Sequence, residues 1–384
     1  MTELIVRGAA ALIEGAWEHR DIAARDGVLV DPASVDDASV EIDGAGLLVA
    51  PGYVDLQCNG GLGIDLAGQP ERLWELAAAL PRFGVTAWLP TIVTTPPGII
   101  ERALAALAAG PAAGWSGAVP IGLHLEGPFL SPTKRGAHPE ALLRPPSLPA
   151  IDGWTRAAGV AIVTLAPDLP GALEVITELA RRGVVVSIGH TPATAAQATA
   201  GIEAGATWVT HLFNATAPLH HREPGLAGVA LADERLHVGL IPDGIHVHPL
   251  VVSMAQRALG ERLTIVTDAV GALGMPHGRQ ALGRAEVMVG DDGVRLADGT
   301  LAGSNLAMDQ GVRNLVAFTG CPPEAAVHAA ATAPCTLLAD PTRGVLVNGA
   351  RADLVLLTPE LNLVVTVVGG EVVFEQRAEA PEPS

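Results

Sequence analysis

VVVSIGHTPATAAQATAGIEAGATWVTHLF, residues 184–213, decides the fold. An apolar, β-branched run, VVVSIGH, ends in His190. A helix-like stretch, TAAQATAGIEA, follows and is closed by a glycine, and a second run, TWVTHLF, then carries His211. Strands that are apolar throughout, rather than alternately, belong to a sheet covered on both faces. The unit therefore reads as strand–helix–strand with the strands parallel.

Outward from this unit the pattern repeats. LLVAPGYVDLQ (47–57), VTAWLPTIV (85–93), VPIGLHLE (119–126), VAIVTLAPD (160–168), HVGLIPD (237–243) and LTIVTDA (263–269) bring the runs to eight. ERLWELAAALPRF, IIERALAALAA, GALEVITELARR and LVVSMAQRAL lie between them with three- and four-residue apolar spacing. Eight such units predict an α/β fold, a (β/α)8 TIM-like barrel with its site at the C-terminal strand ends. A doubly wound open sheet is the alternative, but its glycine-rich dinucleotide fingerprint is missing near the first run. Residues 1–50 break into short β pieces with turns at Asp26-Gly27 and Asp43-Gly44. ADLVLL (352–357), LNLVVTVV (361–368), Gly369-Gly370 and EVVF have the same texture. The two ends are thus expected to meet in a small β-sandwich, 1–50 with 346–378, around a barrel of 51–345, and 379–384 reads as a flexible tail.

The 384 residues are 49% apolar, enough for a sizeable core. A net charge of −18 without any basic run disfavours a nucleic-acid partner. The N-terminus lacks the basic-then-apolar pattern of a signal peptide, and no apolar run reaches the roughly 18 residues of a membrane span. A cytoplasmic protein without a membrane partner is expected. Three scattered cysteines are too few for a disulfide framework or a cysteine zinc site.

Glu126, His190 and His211 end the third, fifth and sixth runs. A lone strand-end histidine is ordinarily structural, but three such groups on correctly spaced strands can converge. Two imidazoles and a carboxylate suit a borderline divalent ion, zinc first, with iron, cobalt or manganese as alternatives. His124, two residues before Glu126 on the same strand face, reads as a supporting or interior residue. Asp268 ends the eighth run, where a carboxylate opposite a metal can serve as general base; capping the following turn is the other reading. His138, in the loop 128–140, could hold a sugar hydroxyl, polarise a carbonyl, or simply lie on the surface. Asn214, Ala215, Arg222 and His246, with His220, His221 and His248 nearby, form a cationic group suited to phosphate. Because the whole chain is acidic, such a local cluster must supply anion recognition. His220 and His221 read equally well as residues of a solvated loop. Gln57 and Asn59 share a face at the end of the first run, while Cys58 points away, buried and inert.

PGYVDLQCNGG (51–61), GLHLEGPFL (122–130), SIGHTPAT (187–194), THLFNA (210–215), REPGLAG (222–228), DGIHV (243–247), VTDA (266–269), LAGSNLAMDQGVRNLV (301–316) and TRGVLVNGARADLVLL (342–357) follow one another in order. This series resembles the N-acetylglucosamine-6-phosphate deacetylase family of the amidohydrolase superfamily. The resemblance implies hydrolysis of a phosphosugar acetamide, giving glucosamine 6-phosphate and acetate. It implies metal ligation by Glu126, His190 and His211, and Asp268 as base and then acid. It places Asn214, the Ala215 backbone, Arg222 and His246 on the phosphate and sugar, and His138 near the carbonyl. It further implies a homodimer in which Arg222 reaches the neighbouring active site.

Many amidohydrolases carry His-x-His at the end of the first strand, where this chain has Gln57 and Asn59. Neutral amides are poor zinc ligands, so one ion per chain is expected and positions 57 and 59 are at most a weak second site. The carboxylated lysine bridge of some relatives is also ruled out. The single lysine, Lys134, follows the third run, whereas the bridge needs the end of the fourth. Two rival readings remain: deacetylation of the galactosamine epimer, and a non-catalytic sugar-phosphate binder.

Overall fold

A computed structural model describes residues 3–35, 38–282 and 285–376, so the expected tail at 379–384 lies outside the described residues. Eight parallel strands form the barrel: β1 (Tyr53–Cys58), β2 (Val85–Val93), β3 (Leu123–Glu126), β4 (Val160–Leu165), β5 (Val185–Ile188), β6 (Trp208–Val209), β7 (His237–Leu240) and β8 (Leu263–Ile265). They pair in chain order from β1 to β8. The seam between β8 and β1 is held by a parallel bridge of Cys58 with Ala269, and Asp268 N donates to Gln57 O at 2.8 Å. Each of the eight runs read from the sequence supplies one of these eight strands.

Of the connecting helices, α1 (Leu73–Ala79), α2 (Ile99–Ala109), α3 (Ala172–Arg181), α4 (Ala195–Glu203) and α6 (Pro249–Leu259) lie where the apolar spacing put them, while α5 (Gly225–Ala232) has no counterpart in the sequence reading. A further three, α7 (Met308–Thr319), α8 (Pro323–Ala330) and α9 (Thr332–Leu337), follow the eighth strand. α3 shows the rule, burying Val175, Ile176 and Leu179 against the sheet while its charged residues face out. α4 begins with a capping box of Thr194 and Gln197, which starts the helix four residues after His190.

Three features depart from the sequence reading. The first run is two strands: Leu48–Pro51 pairs with Leu354–Leu357 outside the barrel, and only Tyr53–Cys58 enters it. Gly52 sits at the break, where a Cβ would lie 2.2 Å from the Thr86 side chain, so only glycine permits the close approach. Between β3 and β4 no α-helix forms among the described residues. Six prolines between 128 and 149 remove donors and restrict φ, leaving short 3-10 turns. Beyond β8 an antiparallel three-stranded sheet (Gly278–Leu282, Ala285–Gly290, Gly293–Leu296) precedes α7. It buries Val287, Val289 and Val294 against Val270, Ala272 and Ala302.

The two ends of the chain do interleave. A six-stranded sheet runs Glu371–Glu375, Leu363–Val368, Leu354–Leu357, Leu48–Pro51, Ala10–Ile13, Ala16–His19. A four-stranded sheet runs Val28–Val30, Ile22–Arg25, Glu3–Arg7, Val40–Asp43. Leu4, Val6 and Leu29 of the second sheet share a core with Val49, Leu354, Leu356 and Val367 of the first. The alternate residues Val355 and Leu357 belong to the barrel's own core, as the two-residue period of a strand requires. No helix among the described residues is long and apolar enough to cross a membrane.

Candidate active site

The site gathers at the C-terminal strand ends. Glu126 is the last residue of β3, His190 and His211 lie two residues past β5 and β6, and Asp268 lies three past β8. His190, His211 and Asp268 have φ of 50°, 27° and 48°. Left-handed backbone at residues bearing side chains costs on the order of 1–3 kcal/mol each and clusters at functional sites.

Three ligand atoms converge. Glu126 Oε1 lies 3.2 Å from His190 Nε2 and 3.0 Å from His211 Nε2, and the two nitrogens are 3.1 Å apart. His190 Nδ1 lies 3.0 Å from Lys134 O, a carbonyl that only accepts, so Nδ1 carries the proton and Nε2 presents a lone pair. A carboxylate oxygen and an imidazole lone pair face each other at contact distance, which a cation between them would stabilise. Ligands about 2.0–2.1 Å from a tetrahedral zinc are about 3.3 Å apart, close to the spacing here. The donor set therefore fits a divalent ion. Burial alone would raise the Glu126 carboxyl, but when the two imidazoles carry protons toward it, their hydrogen bonds and charge outweigh burial and hold it well below the usual carboxylate range. His211 is pushed down by burial and further up by Glu126 and Asp268, for a net rise.

Asp268 faces this cluster. Asn59 Nδ2 donates to its Oδ1 at 2.7 Å, and Gln57 Nε2 lies 3.1 Å from the same oxygen and 3.0 Å from Glu126 Oε1. A carboxylate cannot donate, so both amides must turn their NH2 groups inward; Gln57 Oε1 and Asn59 Oδ1 are buried without a hydrogen-bond partner among the described residues. Burial first, then repulsion from Glu126, raises Asp268 to about 6, against the opposing pull of His211, His246 and the Asn59 bond.

His138 is buried at the edge of the cluster, its Nε2 3.9 Å from Glu126 Oε2 and its ring edge-on to His190 at 4.6 Å. Burial pushes it down to about 3. His246 Nδ1 pairs with Asp243 Oδ2 at 2.6 Å. In the segment after β6, His211, Phe213 and Ala215 have positive φ. Alternation of this kind turns backbone N–H groups toward one side, the geometry of an anion nest.

Other residues of the sequence reading lie apart. Arg222 is exposed and its guanidinium contacts His221 Nε2 at 2.8 Å rather than the cluster. His220 and His221 stack at 4.3 Å on the surface, and His248 caps α6 by accepting from Leu250 N. His124 points into the barrel, 2.7 Å from Thr164 Oγ1 and 3.1 Å from Leu56 O, and burial lowers it to about 4. Cys58 is fully buried, and burial pushes its thiol up.

Three residues near the site escaped the sequence reading. Asp55 Oδ2 accepts from Thr267 Oγ1 at 2.5 Å, and its Oδ1 accepts from Gln57 N at 3.1 Å and Thr267 N at 3.3 Å. Thr94 meets His138, and Asp243 holds His246. Asp243 ends the seventh run and Thr94 directly follows the second, so the strand-end criterion that found Asp268 could have found both; Asp55 carries no such signal.

The amidohydrolase family profile matches residues 48–373. The chain is 39% identical to N-acetylglucosamine-6-phosphate deacetylase of Mus musculus, over 98% of this chain and 95% of the relative. It is 38% identical to N-acetylgalactosamine-6-phosphate deacetylase of Escherichia coli O157:H7, over 94% of this chain and 96% of the relative. Among solved structures it resembles a mutant N-acetyl-D-glucosamine-6-phosphate deacetylase of Mycobacterium smegmatis in complex with N-acetyl-D-glucosamine-6-phosphate. That match has a TM-score of 0.87 and 35% identity, and covers 97% of this chain and all of the other. With family profile, full-length relatives and fold in agreement, the chain belongs to the N-acetylglucosamine-6-phosphate deacetylase family of amidohydrolases.

Proposed function

We propose that the chain hydrolyses the acetamide of N-acetylglucosamine 6-phosphate, giving glucosamine 6-phosphate and acetate. The observation that carries this reading is the Glu126–His190–His211 cluster with Asp268 opposite it. A divalent ion, zinc in the simplest case, would be held by those three residues, polarising the acetyl carbonyl and making water more acidic. Asp268 takes a proton from the attacking water and delivers it to the departing amine as the C–N bond breaks. His138 donates to the oxygen that gains charge in the tetrahedral state. Asn214, the Ala215 backbone and His246 hold the sugar and phosphate, so that binding far from the scissile bond orients it.

In this reading the active unit is a homodimer, with Arg222 serving the partner's phosphate. Two observations support it: Arg222 does not meet its own cluster, and apolar side chains lie exposed nearby in the fold. Leu250 and Met254, 71% and 62% exposed, share one face of α6. α6 packs on α5, whose Gly228 lies against exposed Leu219. Residues 51–345 are the catalytic unit and 1–50 with 346–378 its β companion. Three free, buried cysteines suit the reducing cytoplasm.

The test is release of acetate from N-acetylglucosamine 6-phosphate, with metal content measured on the same sample. No acetate from metal-loaded protein would favour a non-catalytic binder. The Escherichia coli relative supports a second substrate, N-acetylgalactosamine 6-phosphate. Comparing kcat/KM for the two epimers decides between them.

A further inference from the structure

Thr94, one residue past β2, meets His138 from below. Its backbone N–H donates to His138 Nδ1 at 3.3 Å, and its hydroxyl lies 2.9 Å from the same nitrogen. Both Thr94 and His138 are buried. The hydroxyl reaches this place only because residue 127 is glycine: a Cβ on Gly127 would sit 2.4 Å from Thr94 Oγ1.

A backbone N–H can only donate. It cannot rotate away or lose its proton under these conditions, so the ring nitrogen against it must be an acceptor. An Nδ1–H tautomer and an imidazolium would each set proton against proton. What remains is the neutral ring with its proton on Nε2, the nitrogen that faces Glu126 Oε2 at 3.9 Å. We infer that Thr94 is a positioning residue that locks His138 as a neutral Nε2–H donor aimed at the reacting carbonyl.

Two consequences follow for the site. His138 cannot act as base, which leaves that role to Asp268. It also cannot be a metal ligand through Nε2, although ligand atoms of Glu126, His138 and His190 lie within 4.8 Å of one another. A ligating imidazole needs a lone pair there, and this one carries a proton.

The inference rests on the proposed role of His138 in amide hydrolysis, and two measurements separate them. In zinc-loaded protein with 15N-labelled histidine, the ring shifts of His138 are expected to show a protonated Nε2 and a bare Nδ1. A protonated Nδ1, or an Nε2 bound to the metal, would overturn the lock whatever the enzyme turns over. Thr94→Val removes the hydroxyl while keeping the shape. It is expected to lower kcat about tenfold, the worth of one hydrogen bond to the oriented group, with KM changed less than about twofold. Thr94→Ser should restore kcat with the same metal content and melting temperature. Because Thr94→Val keeps the backbone N–H, wild-type kcat in this variant would overturn the positioning role of the Thr94 hydroxyl, and the ring shifts would overturn or uphold the tautomer. Should that variant fail to fold, the ring shifts and Thr94→Ser still decide it. Absence of acetate release by the wild type would instead sink the reaction, leaving the ring shifts to judge Thr94.

Discussion

Asn59 donates to Asp268 across 2.7 Å, joining the end of β1 to the residue beyond β8 that faces Glu126, His190 and His211. The bond has a direction, because a carboxylate can only accept. The Asn59 amide, like that of Gln57, therefore presents hydrogens to this spot rather than a lone pair to a second ion. Elemental analysis is expected to find about one tightly held divalent ion per chain. Two tight ions would mean that these amides turn over on binding.

Asp268→Asn keeps the size of the side chain and leaves Glu126, His190 and His211 in place. Metal content should be unchanged while kcat falls roughly 10²–10⁴-fold, the usual range for losing a general base. Near-normal turnover would remove Asp268 from proton transfer.

Arg222 lies on the surface, away from its own cluster. A mixture of Arg222→Ala chains with Asp268→Asn chains should recover activity in the heterodimer, since one of its two sites then has both an intact base and an intact partner arginine. No recovery in heterodimers shown to form would place Arg222 outside the active site.

Asp55 gives a stability signature. Burial raises it from 3.8 to about 7, against the hydrogen bonds from Thr267 and Gln57. The native state therefore holds this proton more tightly than the unfolded chain does. The resulting stability is full below the unfolded value and is lost as pH rises through about 7. The whole effect is on the order of 4 kcal/mol, from three pH units at 1.36 kcal/mol each. Urea unfolding between pH 5 and 8 should show the wild type losing ground to Asp55→Asn as pH rises. A constant difference would mean that Asp55 is not the group that titrates.

The barrel was legible because each strand is apolar on both faces and each helix repeats every three to four residues. The strand-end rule then picked out Glu126, His190, His211 and Asp268 from chain position alone. What escaped has physical reasons. Gly52 breaks the first run by a contact with Thr86, a residue more than thirty positions away that no local pattern reveals. The sheet at 278–296 left a signal in the alternation of Val287 and Val289, but it lies outside the β/α repeat that drew attention. Asp55 and Thr94 act through groups distant in sequence, Thr267 and His138; the place of Thr94 just after the second run marks a strand end but not its partner, and Asp55 lies within its strand.

The strand Leu354–Leu357 has one further consequence, for the order in which the protein is made. Its partner Leu48–Pro51 leaves the ribosome some three hundred residues earlier and must wait for it. Val355 and Leu357 also help to fill the barrel's core. The pairing is among the most non-local in the chain and so belongs to late, slow folding. A nascent or prematurely ended chain carries Glu126, His138, His190, His211 and Asp268 yet lacks the strand that joins the two cores. Completion of synthesis thus becomes a condition for a finished hydrolase, written into the fold at its last strands.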